Sequence, residues 1–129
     1  MVGSKKQRVI GWILSILISL FLIGPSAMGK FLDWEGKPEM MQKMGFTVDL
    51  MKKIGVLEII LAILFLIPRS AFIGAILLTG YLGGATVTHL RMGEPFFMPV
   101  LIGIFVWIAL GLRNPTIFKL ALNNRDRSN

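Results

Sequence analysis

Glu58 is the residue most able to do chemistry in this chain, because it is a carboxylate set inside an apolar run, residues 54–67. An ionisable side chain in hydrocarbon is costly, so it should face the interior of a helix bundle and have a partner there. Three more ionisable groups sit at the ends of other apolar runs. Lys30 follows the run 9–28, and His89 and Arg91 close the run 71–88. If each run crosses a membrane, chain direction alone brings Lys30, Glu58, His89 and Arg91 to similar depth at one mouth of the bundle. Tyr81 is eight residues before His89, roughly 12 Å deeper at 1.5 Å per residue. Ala85 falls between them, so Tyr81, Ala85 and His89 share one helix face and could line a polar track running down from the mouth. Such a set offers hydrogen bonding or proton transfer to a polar head group, with His89 the candidate proton donor.

Plainer readings compete with this one. Glu58 could be one half of a structural ion pair, Tyr81 could bond a neighbouring carbonyl, and His89 could be an interfacial residue beside Arg91. A metal site is not expected. Catalytic zinc normally takes three protein ligands, and the chain has one histidine and no cysteine. The lack of cysteine also removes thiol catalysis and disulfide frameworks. No catalytic set is recognisable, and no residue requires a cofactor.

The elements that must position these groups follow from composition. Hydrophobic residues make up 54% of the 129 residues and charged residues 16%, against roughly 25% charge in ordinary soluble chains. A chain this short has too little polar surface to cover its apolar atoms in water. A spanning helix needs about 20 mostly apolar residues. The expected fold is therefore all-α: an integral membrane four-helix bundle forming one domain, with spans at about 9–28, 49–67, 71–89 and 95–112. The second span is short unless Lys52 and Lys53 snorkel to the interface, and a re-entrant second segment is its alternative. The N-terminal run also resembles a secretory signal with Ala27-Met28-Gly29 at the cleavage position. It is longer than the usual 7–15-residue core of a signal, so it reads as the first span, with Pro25 kinking or ending it.

Charge sets the expected orientation. Lys5, Lys6, Arg8, Arg69, Arg113, Lys119, Arg125 and Arg127 fall on one side, and Lys30, Lys37, Lys43, Lys52, Lys53 and Arg91 on the other. The larger basic set favours both termini in the cytoplasm. Acids separate the sides further, with Asp33, Glu35, Glu39, Asp49 and Glu94 outside and Asp126 inside. The net charge of +7 is thus read as a topology signal and a contact for anionic lipid, and no nucleic-acid partner is expected. The partners expected are the bilayer and either a membrane protein or further copies of the chain.

The loop 30–53 is the one sizeable segment outside the spans. Within it, 38–53 reads as a short amphipathic helix on the membrane surface, Met40, Met41, Met44 and Met51 facing lipid. A methionine-lined lid over the bundle mouth is the second reading. Trp34, Trp12 and Trp107 read as interfacial anchors. Gly80 and Gly84 form GxxxG, and Ala75 and Thr79 belong to a second stripe with Ala71. Both stripes are assigned to helix packing, with close approach of a ligand at Gly83 and Gly84 as the alternative. Ser15 and Ser19 should bond backbone or a facing helix.

Gly29-Lys30-Phe31, Gly55-Val56-Leu57-Glu58, Ile67-Pro68-Arg69, the continuous stretch 74–91 ending in His89-Leu90-Arg91, Trp107 and Leu112-Arg113-Asn114-Pro115 together resemble the DoxX-like group of small four-helix membrane proteins. The resemblance covers about 24–115, and Asn114 stands where an aspartate is frequent. It implies four transmembrane helices in a prokaryotic plasma (inner) membrane. It also implies kinship with proteins linked to a thiosulfate–quinone oxidoreductase subunit, to complexes handling oxidative stress and to assembly factors. Lys30, Glu58, His89 and Arg91 match positions that tend to be polar in that group, and no catalytic residue carries over. The first functional expectation is therefore a non-enzymatic accessory, assembly or stress-linked membrane subunit. The alternative is a subunit of an oxidoreductase that binds quinone or lipid through Glu58 and His89, with Tyr81, Arg91 and Lys30 beside them. A small transporter or proton path ranks last, because the cytoplasmic halves of the spans hold few polar groups.

Overall fold

A computed structural model describes residues 4–122. Arg125, Asp126 and Arg127, used above to orient the chain, lie outside the described residues. The fold is all-α. Helix α1 (Lys5–Phe21) runs through a π-helical turn (Leu22–Ser26) into α2 (Ala27–Phe31), followed by α3 (Lys37–Met44), α4 (Val48–Leu66), α5 (Ala71–Arg91), α6 (Phe97–Arg113) and α7 (Thr116–Ala121).

The boundaries have local causes. Ser4 opens α1 with a capping box: its Oγ accepts from Gln7 N at 3.2 Å, and Gln7 Oε1 accepts from Ser4 N at 3.1 Å. Pro25 does not end the first helix. It lacks the N–H that would bond back to Phe21, and the chain widens by one residue, Ala27 N–H reaching Leu22 O. Gly36 (φ 87°) and Gly45 (φ 77°) bracket α3 in the left-handed conformation that a side chain disfavours. Thr47 then caps α4, accepting from Leu50 N at 3.1 Å.

This corrects the reading of 38–53 as one surface helix. Gly45 splits it, and residues 48–53 are the first turns of α4. The methionines differ as well. Met41 and Met51 are buried within the chain, and Met44 borders a cavity described below.

Helix α1 packs against α6, α4 against α5, α5 against α6, and α2 against α4. Phe65, Leu78, Val106, Ala75 and Ala109 are fully buried between them. Two glycines set the closest approaches of one helix to the backbone of another. A Cβ on Gly74 would lie 2.6 Å from the backbone N of Phe65, and one on Gly11 2.8 Å from the carbonyl of Ala109. Gly80 and Gly84, assigned above to packing, make no such contact: a Cβ on either would find nothing within 4 Å. Of the second stripe, Ala75 is in the core. Thr79 donates to Ala75 O at 2.7 Å and accepts from Trp107 Nε1 at 2.8 Å.

The end of the bundle away from Glu58 is closed by Arg113. Its Nη1 donates to Phe65 O at 2.8 Å and to Ser15 Oγ at 3.2 Å, and its guanidinium stacks 3.9 Å from the centre of the Trp12 ring. Phe65 lies in the last turn of α4, where carbonyls have no partner within the helix, so a cation there is doubly favoured. Ser15 also donates to Gly11 O at 2.8 Å, while Ser19 Oγ is buried without a partner.

The core is apolar, but the outward faces are apolar too, unlike those of a water-soluble fold. Ser15, Ser19 and Glu58 are fully buried, while Ile13, Leu17, Leu20, Ile73, Val87 and Leu101 are exposed.

The glycines give a direct test of these contacts. Gly74→Ala drives a methyl into the α4 backbone and should cost about 1–3 kcal/mol. Gly80→Ala meets open space and should be neutral or stabilising by up to about 1 kcal/mol through helix propensity. Unfolding of the purified variants in detergent checks both. Equal losses of stability would mean that α5 packs through Gly80 instead.

Candidate functional site

Glu58 lies on the inward face of α4 and is fully buried. Its partners are the last residue of the π-helical turn, Ser26, and Lys30 of α2. Ser26 Oγ donates to Glu58 Oε1, and Lys30 Nζ donates to Glu58 Oε2 at 2.7 Å. Ser26 and Lys30 are one helical turn apart and so share a face. Lys30 Nζ also donates to Ser26 O at 3.0 Å and to Ser26 Oγ at 3.3 Å. The ammonium therefore has as many acceptors as hydrogens, and each carboxylate oxygen holds a donor.

The short α2 helix is itself pinned. Lys37, buried despite its charge, donates to Leu32 O at 2.6 Å and to Lys30 O at 3.1 Å, and Trp34 Nε1 donates to Gly29 O at 2.9 Å. These three contacts take the open carbonyls at the end of α2 and fix where Lys30 points.

Beside this cluster is a cavity of about 540 Å³. Phe21, Leu57, Leu82 and Ile102 supply apolar walls, and Met44, Phe46 and Met98 border it from the connecting segments and the start of α6. From α5 come Tyr81, Ala85 and His89, the face expected from their spacing, together with Gly80 and Gly84. The open space at these two glycines is the space of the cavity. Tyr81 faces the Glu58 carboxylate from this side. His89 Nδ1 is buried and has no hydrogen-bond partner; Glu94 Oε2 is 3.4 Å away but not aligned to accept.

Lys30, Glu58, Tyr81 and His89 thus border one cavity, and Arg91 does not. Arg91 follows His89 by two residues, about 200° round the helix. Its Nη2 donates instead to Met44 O at 2.5 Å, across to the end of α3. Lys43 and Glu94 make a second link between the same segments at 3.5 Å. Ser26 was not anticipated from the sequence. Its signal was present in the four-residue spacing to Lys30. Met44 was signalled only by the alternative of a methionine-lined lid, and it does border the cavity, as does Met51; Phe46 and Met98 had no comparable signal.

Removing one member of the buried pair should be much worse than removing both. Lys30→Met leaves the Glu58 charge without its counter-ion and should cost about 3–5 kcal/mol, whereas Lys30→Met with Glu58→Leu should recover most of that loss. Thermal or denaturant unfolding in detergent distinguishes the two variants. A double variant as unstable as the single one would show that the pair is not coupled.

No curated protein and no solved structure matches this chain. The DoxX-like family model matches residues 13–111, a segment that begins within α1, ends within α6 and contains Ser26, Lys30, Glu58, Tyr81 and His89, and so the chain belongs to the DoxX-like family.

Proposed function

We propose that the chain is a four-span protein of the cell (plasma or inner) membrane, both termini cytoplasmic, whose cavity holds an amphiphilic small molecule or lipid. Two helices, Lys5–Phe31 and Ala71–Arg91, are long and apolar enough to cross a bilayer. Their apolar windows are only 22% and 28% buried, so most of that surface is free to meet lipid, unlike the core helix of a soluble protein. Helix α4 carries Asp49, Lys52, Lys53 and Glu58. The lysines are exposed and suited to snorkelling from the end of a span, and Glu58 turns inward. The 17 residues of α6 make about 25 Å of helix, which spans with local thinning of the bilayer.

The observation that carries the binding reading is the cavity itself. Its volume of about 540 Å³ falls among those of small-molecule sites, roughly 300–1,000 Å³, which are mostly apolar with a few convergent polar groups. The acyl or ring portion fits the apolar walls, and the head group meets Tyr81, His89 and the Glu58 cluster. A quinone is one such molecule. The chain then serves as a binding subunit, and any oxidation would fall to a partner.

A second reading is a non-enzymatic accessory or assembly subunit, contacting a membrane-protein partner or further copies of itself. It is favoured by a second recess of about 480 Å³ between α5 and α6, where Gly83, Gly103, Thr79 and Thr86 offer a small-residue surface. Such surfaces let helices approach closely in lipid.

Mass spectrometry of material extracted mildly from native membranes, wild type beside Glu58→Gln, tests both readings. A near-stoichiometric small molecule or lipid in the wild type, lost in the variant, is the expected result. A stoichiometric protein with no small molecule would replace the binding reading with the accessory one. Because the chain has no cysteine, single substitutions test the topology. Glu39→Cys should react with a membrane-impermeant maleimide in intact cells and Lys5→Cys should not. The reverse pattern would invert the orientation.

A further inference from the structure

We infer that the cavity selects an uncharged amphiphile, one whose head group is a hydroxyl or carbonyl oxygen and not a carboxylate, phosphate or ammonium. This rests on the reading that the cavity binds an amphiphile and narrows it to a ligand class.

The argument is one of charge and of hydrogen-bonding capacity. Apart from His89, whose Nδ1 lies 3.4 Å from Glu94 Oε2, the charged groups bordering the cavity are one ammonium, Lys30, and one carboxylate, Glu58, and these two balance. Both charges are also saturated. Lys30 points its hydrogens at Glu58 Oε2, Ser26 O and Ser26 Oγ, and an arriving anion finds no free N–H there. Each Glu58 oxygen holds a donor, from Ser26 or from Lys30, and an arriving cation would have to displace one. A charged head group would leave its water for a site with no spare counter-charge, and that desolvation cost goes unanswered.

The polar group left open is on α5: His89 lines the cavity, and its Nδ1 is buried without a partner. The Tyr81 hydroxyl is turned to Glu58, and its oxygen keeps a lone pair with which to accept. A hydroxyl can both accept from one such group and donate to another, and a carbonyl can accept. Two further cations at this end are engaged elsewhere: Lys43 with Glu94 at 3.5 Å, and Arg91 with Met44 O at 2.5 Å. Gly80 and Gly84 leave width beside Tyr81 for the body of the ligand.

The test holds the tail constant and varies the head. The full chain in phosphatidylcholine nanodiscs is exposed to three photoreactive dodecyl probes ending in an alcohol, a carboxylate or a trimethylammonium group, and the crosslinked residues are mapped by mass spectrometry. The alcohol should label the α4 and α5 walls of the cavity about tenfold more than either charged probe, the factor set by one uncompensated polar contact. Equal or stronger labelling there by a charged probe overturns the inference while leaving the cavity a binding site. Labelling of those walls by none of the three overturns the amphiphile reading itself. Folded Glu58→Gln, which leaves the Lys30 charge unbalanced, should shift preference towards the carboxylate. An unchanged order of the three probes in that variant would also overturn the inference.

Discussion

A carboxylate sealed from water must be matched by the protein around it, and much of this fold can be derived from that requirement at Glu58. The residue faces the interior because α4 has no other way to shelter it. Its compensation cannot come from α4 itself, so another element must bring a cation and a hydroxyl to the same depth. The short α2 helix does this with Ser26 and Lys30, and Lys37 and Trp34 tie the end of α2 in place. The pair adds little stability by itself, because burying two charges costs about what their attraction returns. Its effect is on specificity: arrangements in which α2 and α4 slide past one another leave an unmatched charge and are disfavoured.

The two ends of the bundle differ in how densely they are filled. Towards Arg113, Phe65, Leu78, Val106 and Ala109 exclude space, and Gly11 and Gly74 lie against the backbone of neighbouring helices. A guanidinium stacked on Trp12 and bonded to the end of α4 closes that end. Towards Glu58 the helices diverge round a cavity, and the glycines there, Gly80 and Gly84, touch nothing within the chain. One helix, α5, therefore uses the same residue type for opposite purposes along its length: contact at Gly74, vacancy at Gly80 and Gly84. A mostly apolar space with a few convergent polar groups is a common layout for binding sites.

How much of this was legible in the sequence varied with the kind of signal. Glu58 stood out because a charge in an apolar run has few explanations, and Lys30, His89 and Tyr81 followed from chain direction and helix rise. Arg91 was grouped with them by depth alone. Its angle round the helix, set by its offset of two residues from His89, already argued against a shared cavity. Ser26 was hidden because a serine in an apolar run is unremarkable until its spacing to Lys30 is considered. Gly80 and Gly84 show the limit of a small-residue pattern: it tells that a face is narrow, and only the neighbouring helices decide whether backbone or empty space lies against it. The surface helix was misread because Gly45 was treated as an interruption, whereas with Thr47 behind it the glycine ends one helix and lets the next begin. The inward turn of Arg113 could not be read at all, since a basic residue at the end of an apolar run usually marks an interface.

The π-helical turn at Pro25 has a consequence for how this chain can vary. Leu22 opens the turn and Lys30 lies beyond it, and both border the same cavity. A π-turn is equivalent to one extra residue in the helical repeat. The segment therefore carries its own insertion, and the faces after it depend on the wide turn being kept as long as that residue is. Closing the turn into regular α-helix with every residue retained would rotate Lys30 by about 100°, away from Glu58, whereas losing one residue together with the turn would leave it in place. Sequence drift in this region should tolerate that paired loss better than loss of the wide turn alone.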